Sequence, residues 1–347
     1  MAKRWVNRPE GSNWGEFGED DQLGRLNLLT PERVVEAVKE VKTGKRFCLS
    51  LPLDLPGGRL LNPRRFPPRL FATARNNLSN YNFALQTEEP DLTDVVCDDA
   101  VLLCLQYSSQ WDSLTHVGSM FDANGDGVPE IVYYNGWTGI DHIMPVENPN
   151  ADPLMRFEGS RAKALGMENM AEACVQGRGV MIDLERHLGS ERVVVDYDML
   201  KEVMDKDGIE VEEGDIVCLH TGFAQRIVEM QGNPDLEKLN NSGPALDGGD
   251  PALQDWIRES GLAVLVADNY AVEHLPGRDR SNGPKKVLMP LHELCLFKLG
   301  IHLGEIWYLT ELANWLHENG RHRFLMTAPP LNLPGAVGSP ANAIATV

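Results

Sequence analysis

The sequence predicts an α/β protein, and three observations carry the prediction. Six short apolar runs are bounded by turn residues, three segments combine helix caps with helical spacing, and the two kinds of segment interleave along the chain. Several runs lack strict polar–apolar alternation, which is the pattern of strands covered on both faces.

The first helix opens at Thr30-Pro31-Glu32, where a capping hydroxyl precedes a proline and an acid near the positive end of the helix dipole. Val34, Val38 and Val41 then share one face, and Gly44 closes the segment. Strands are predicted at Arg46 to Leu51, Val101 to Gln106, Val180 to Leu184, Ile216 to His220, Leu262 to Ala267 and Arg323 to Met326. A second helix starts at Asp250-Pro251, turns Leu253, Trp256 and Ile257 inward, and ends at Gly261. A third is expected from Glu305 to Glu318, with Ile306, Leu309, Leu312 and Leu316 as its buried stripe and Asn319-Gly320 as its stop. The stretches from Asn62 to Pro90 and from Gly243 to Gly249 lack periodicity and read as long loops serving as lids or subunit contacts. The tail from Pro329 to Pro340 reads as extended chain packed on the surface. The expected organisation is a single domain over residues 1–347, without internal repeats.

Composition narrows the function. Against 51 Asp plus Glu stand only 32 Lys plus Arg, a net charge of −19 that repels phosphate backbones and anionic lipid. Neither nucleic acid nor membrane is therefore an expected partner. The strongest apolar stretch, Leu262 to Ala267, is too short to span a bilayer, and Met1 to Trp5 lacks the apolar core of a secretory signal. The six cysteines are scattered without a Cys-x-x-Cys pair and read as reduced thiols of a cytoplasmic protein.

Two distant segments read as halves of one metal site. Asp112 and His116 lie four residues apart after Gln110-Trp111, and His292 and Glu305 lie thirteen apart. Carboxylate oxygen and imidazole nitrogen suit a divalent ion such as Zn²⁺ or Mn²⁺, and Gln110 offers a further oxygen. Asp122 to Gly127 carries Asp, Asn and Asp at alternate positions, but its twelfth position is Tyr133 rather than a bidentate Glu, so a polar turn is expected there instead of a calcium loop. No Gly-x-Ser-x-Gly, phosphate-binding loop or His-Glu-x-x-His occurs.

These segments carry a resemblance that runs through nearly the whole chain. It begins at Trp14-Gly15 and Asp21 to Glu32, and continues through Gly177 to Asp183, Gly214 to Val217 and Thr221-Gly222. It closes with Ala267-Asp268-Asn269, Glu273, the His292 segment, Ala328 to Leu331 and Gly338 to Pro340. In this order the chain resembles the cyclase family of metal-dependent hydrolases, best known from bacterial kynurenine formamidases and related to isatin and dienelactone hydrolases. The resemblance implies a swivelling β/β/α fold with mixed sheets flanked by helices, one or two divalent ions, and a homodimer or homotetramer.

The family's first motif, His-x-Gly-Thr-His-x-Asp-x-Pro-x-His, is altered here. Asp112 stands at its first histidine, His116 at its second, Gly118 at its aspartate and Asp122 at its last histidine. A branch with Gln-(Trp or Phe)-Asp before the histidine is closer, and Tyr133 to Gly136 fits it too. The resemblance thus implies Asp112, His116, His292 and Glu305 as ligands, with Gln110 as a weak fifth, Asp122 as general-base candidate and His292 counted among the catalytic residues as well. His302 and Glu293 are expected to face solvent, His142 and His220 to be structural, and Trp111, Tyr134 and Trp137 to line either a pocket or the core. The expected activity is hydrolysis of a small amide, formamide or lactone. The rivals are a lyase or cyclase on the same scaffold and a non-catalytic small-molecule-binding member. A calcium-binding adhesion module, resting only on Asp122 to Gly127, is a remote third.

Overall fold

A computed structural model describes residues 4–151, 156–278 and 286–347; Met1 to Lys3 of the N-terminal segment lie outside them. One mixed sheet of nine strands organises the chain. Its strands are β1 (Arg46–Cys48), β2 (Gln110–Asp112), β3 (Gln176–Asp183), β4 (Ile216–His220), β5 (Val264–Ala267), β6 (His302–Glu305), β7 (Arg323–Thr327), β8 (Gly338–Pro340) and β9 (Ile344–Thr346). The spatial order is β1-β9-β7-β3-β4-β5-β6-β2-β8, with β3 to β6 parallel and the flanking pairs antiparallel.

The parallel centre is covered on both faces, as the unalternating runs predicted. Val217, Leu219, Leu265 and Ala267 enter one apolar cluster, while Ile216, Cys218, Val264 and Val266 enter the other. The helices seal these faces. Helix α1 (Pro31–Val38) starts on Thr30, whose hydroxyl accepts the Arg33 amide. Helix α2 (Tyr197–Asp207) is capped by Asp196 and stops at left-handed Gly208. Helix α3 (Pro251–Glu259) begins on Asp250 and buries Leu253 and Ile257.

Four expectations are corrected. Glu305 does not open a helix: it ends β6, and α4 (Thr310–Glu318) begins only after Ile306, held at φ 55° and unable to continue a helix, has turned the chain. The run 101–106 is not a central strand either; Asp99–Leu102 pairs with Arg69–Ala72 in an outlying ribbon, while β2 supplies the central strand. The tail does not stay on the surface, since Gly338 and Ser339 are buried in β8 beside β2. Pro340 is tolerated there because β8 is an edge strand. The segment 62–90 is not all loop, since it contributes several two-stranded ribbons.

His220 ties the top of the sheet together. Its Nδ1 donates to Asp183 Oδ1 at 2.7 Å, and its Nε2 lies 3.1 Å from the Thr310 hydroxyl, joining β3, β4 and α4. Burial opposes the charged imidazole, but Asp183, Asp268 and Glu185 raise its pKa above the usual value. The stabilisation is therefore fully present below the unfolded-state pKa of about 6.5 and is lost as pH rises through the raised folded value. Replacing His220 with alanine should cost about 1–3 kcal/mol at pH 6 by urea unfolding, and an unchanged midpoint would remove this pair from the account of the fold.

All six cysteines are free, matching the expectation of thiols. Among the described residues no helix is long and apolar enough to cross a membrane.

Candidate metal centre

The site forms where β2 and β6 run side by side, with Glu305 opposite Gln110 and Leu303 opposite Asp112 in the register. Side chains alternate along a strand, so Gln110 and Asp112 share one face of β2 while Trp111 enters the opposite cluster against Trp307. His292 ends a short helical turn, Pro290–His292, that runs into a π-helical segment, Glu293–Leu299. Gly300 then returns the chain to β6. At φ 63° it also presses on Gly24, so close that a Cβ there would lie 2.7 Å from the Gly24 Cα.

Ligand atoms of Asp112, His292 and Glu305 all lie within 4.8 Å of one another, and all three residues are buried. His292 Nε2 donates to Glu305 Oε1 at 3.1 Å. Asp112 Oδ2 is buried without any hydrogen-bond partner, and an orphaned carboxylate oxygen is costly unless something cationic satisfies it. The donor set therefore fits a divalent ion. His116 stands at the mouth, with Nε2 3.8 Å from Asp112 Oδ1 and its side chain 23% exposed.

The charges respond to this crowding. Burial, then the charge of Glu305, raises Asp112 well above the usual carboxylate range. Burial favours neutral Glu305 too, yet the hydrogen bond and charge of His292 hold it below that range. Burial opposes a charged His292, but Glu273 and Glu305 raise its pKa to about 10. Burial pushes His116 down to about 4, so its imidazole is neutral at pH 7.

Gln110 departs from its expected role as an oxygen ligand. Its amide nitrogen donates to Asp112 Oδ1 at 3.2 Å and Glu305 Oε2 at 3.1 Å, while its oxygen accepts from Arg65. Asp122 does not join the group as general base; its carboxylate accepts the backbone amides of Gly125, Asp126 and Gly127. The stretch 122–127 is thus a polar turn. His302 is buried on β6 rather than solvent-facing, with burial holding its pKa down at about 3. Glu293 is half-buried and accepts from Ser119. Trp111 and Tyr134 are core residues, and the half-buried Trp137 packs on Arg4 and His142. The aspartate position of the motif, Gly118, is sterically closed: a Cβ there would lie 2.5 Å from the Val132 carbonyl oxygen.

The roles of two residues escaped the sequence reading. Glu273 accepts from His292 Nδ1 at 2.8 Å and from the amides of Leu291 and His292, which orients the imidazole with Nε2 toward Glu305. It follows Ala271 and Val272, at φ 77° and 59°. Left-handed backbone at a β-branched residue costs on the order of 1–3 kcal/mol and gathers at functional sites. Ile306, beside Glu305, is strained in the same way at φ 55°. Arg65 is the second, reaching Gln110 Oε1 at 3.3 Å and the Gln106 carbonyl at 2.5 Å. Glu273 lay in a segment that the resemblance marked; Arg65, in a stretch without periodicity, carried no signal.

Comparison with known proteins bears on the family and the fold. The cyclase family model matches residues 49–274. A solved structure described as a novel cyclase is 30% identical, with a TM-score of 0.72 and 97% of each chain covered. Isatin hydrolase A from Labrenzia aggregata, bound to benzyl benzoate, shares the fold at 15% identity and TM-score 0.53, over 90% of this chain and 97% of its own. Isatin hydrolase A from Ralstonia solanacearum does so at 14% and 0.53, over 87% and 91%. No curated protein matches the sequence. The chain, by both family model and fold, belongs to the cyclase family.

Proposed function

We propose that the protein is a metal-dependent hydrolase of a small amide, formamide or lactone, with one divalent ion held by Asp112, His116, His292 and Glu305. The observation that carries the reading is the convergence of Asp112, His292 and Glu305 around an unsatisfied Asp112 oxygen in a chain of the cyclase family. One ion rather than two is favoured by the closed Gly118 position, which leaves no room for the motif's aspartate.

A divalent ion held by these residues would supply Lewis acidity, enough to polarise a carbonyl and to lower the pKa of water from 15.7 toward about 7. The chain supplies the rest. Asp112 and Glu305 provide anionic oxygen, and Glu273 holds the His292 tautomer that frees Nε2. Gln110 bridges the two carboxylates through its amide hydrogens. His116, neutral at pH 7 and partly exposed, offers a lone pair or takes up a proton at Nε2. We further propose that the ion is Zn or Mn and that the protein is a homodimer or homotetramer, a state to be read by light scattering.

The test is a panel of amides, formamides and lactones turned over in ¹⁸O-labelled water by metal-loaded protein. Hydrolysis predicts one solvent oxygen in each product acid. Product without label would establish the lyase or cyclase rival, and binding without turnover would establish the non-catalytic one.

A further inference from the structure

Gln110 is fully buried, and its strand holds it on both sides. It faces Glu305 in β6 and Pro340 in β8, and its backbone carbonyl accepts from Trp307 Nε1 at 2.9 Å. Its side-chain nitrogen donates to Asp112 Oδ1 and to Glu305 Oε2. One oxygen of each carboxylate is thereby occupied. The oxygens left over are Asp112 Oδ2, buried without a hydrogen-bond partner, and Glu305 Oε1, which meets His292 Nε2.

The amide is held in this sense from its other end. Arg65 Nη1 donates to Gln110 Oε1 and to the Gln106 carbonyl, and the Asn62 carbonyl accepts the Arg65 amide in a local turn. Turning the side-chain amide over would set its N–H donors against the guanidinium and its oxygen against two carboxylates. Three hydrogen bonds would be exchanged for repulsive contacts. Gln110 thus stays a donor to the carboxylates.

The number of oxygens on offer decides which ion a site prefers. Zn²⁺ is satisfied by about four ligands, whereas Mn²⁺ suits a larger set rich in oxygen. We infer that Gln110 is the metal-selectivity residue of the centre: it limits Asp112 and Glu305 to one oxygen each, and Arg65 keeps the amide oxygen away from the ion. The centre then favours Zn over Mn by more than the ordinary order of affinities. This rests on the ion placed among Asp112, His116, His292 and Glu305 in the reading above, and not on the reaction.

The test is a set of Zn and Mn dissociation constants, measured by chelator competition on the full-length protein. Wild type, Gln110→Met, Arg65→Met and the double variant are compared. The readout is the Mn constant divided by the Zn constant. Both ions are divalent, so a general loss of charge or order at the site cancels in this ratio. Gln110→Met should lower the ratio at least about tenfold, because both carboxylates can then bind through two oxygens. Arg65 is only half-buried and lies outside the sheet, so Arg65→Met disturbs the core least. It should lower the ratio at least as far, since Gln110 is then free to turn its oxygen to the ion. The double variant should match Gln110→Met, because Arg65 has no amide left to orient. With cobalt in place of zinc, the single variants should lose intensity in the visible bands as the ion gains ligands. Metal uptake with an unchanged ratio in both single variants would overturn the inference and leave the centre standing. A double variant well below Gln110→Met would overturn the part given to Arg65. A wild type that takes up neither ion would remove the centre and the inference together.

Discussion

Asp112→Asn should abolish metal binding while leaving the metal-free fold as stable as before or more so. The substitution keeps the shape and removes the charge. The loss of affinity should exceed about a hundredfold, the upper range for groups that only orient a ligand. Wild type purified without chelator should carry about one equivalent of Zn or Mn per chain, by mass spectrometry, and the variant essentially none. Activity on any hydrolysed substrate should fall with the metal. The stability effect runs the other way. Burial and the neighbouring Glu305 raise the Asp112 pKa, so the folded protein penalises its charged form. That penalty is absent below the unfolded pKa of about 3.9, grows as pH rises toward the raised folded value, and is complete above it. Asparagine removes it, so at pH 7 the metal-free variant should melt no lower than the metal-free wild type. A variant that melts well below wild type would mean that Asp112 serves the fold, and a variant that keeps its metal would exclude Asp112 from the centre.

The parts of the fold legible in the sequence were those where local pattern and tertiary surroundings agree. Ile216 to His220 is a strand by composition and buried throughout, and Asp250-Pro251 caps a helix where an Asx cap and a first-turn proline say it should. Where local pattern and surroundings disagree, the sequence misleads. Ile306, Leu309, Leu312 and Leu316 have helical spacing, but Ile306 sits in left-handed backbone, so the helix waits until Thr310. The residues Gly338 to Pro340 look like loop because proline and glycine deplete strands, yet an edge position admits them.

The site divides along the same line. The convergence of Asp112, His292 and Glu305 was legible because the family spacing restricts position. The geometry adds what spacing cannot carry. Gln110 turns its nitrogen, not its oxygen, to the carboxylates because Arg65 takes the oxygen. Asp122 is consumed by three backbone amides of its own turn. Neither constraint is local in the sequence.

Glu273→Gln should weaken metal binding about 10–100-fold without removing any ligand atom. Wild-type Glu273 accepts the Nδ1 proton of His292 and two backbone amides, so it sets both the ring's orientation and its tautomer. Glutamine keeps an oxygen for part of this work but loses the charge. The pH dependence separates this role from a structural one. In the metal-free protein Glu273 and Glu305 overcome burial and raise the His292 pKa to about 10. Its imidazolium therefore stabilises the fold fully below the unfolded pKa of about 6.5, and that contribution is lost as pH rises through about 10. A ligand must shed its Nε2 proton, so metal uptake at pH 7 should release about one proton from this histidine, seen as a dependence of the calorimetric enthalpy on the buffer's ionisation heat. In Glu273→Gln the His292 pKa falls, and fewer protons should leave even as affinity drops. A uniform loss of affinity with unchanged proton release would show that Glu273 holds the backbone of Leu291 and His292 and has no hold on the imidazole's charge.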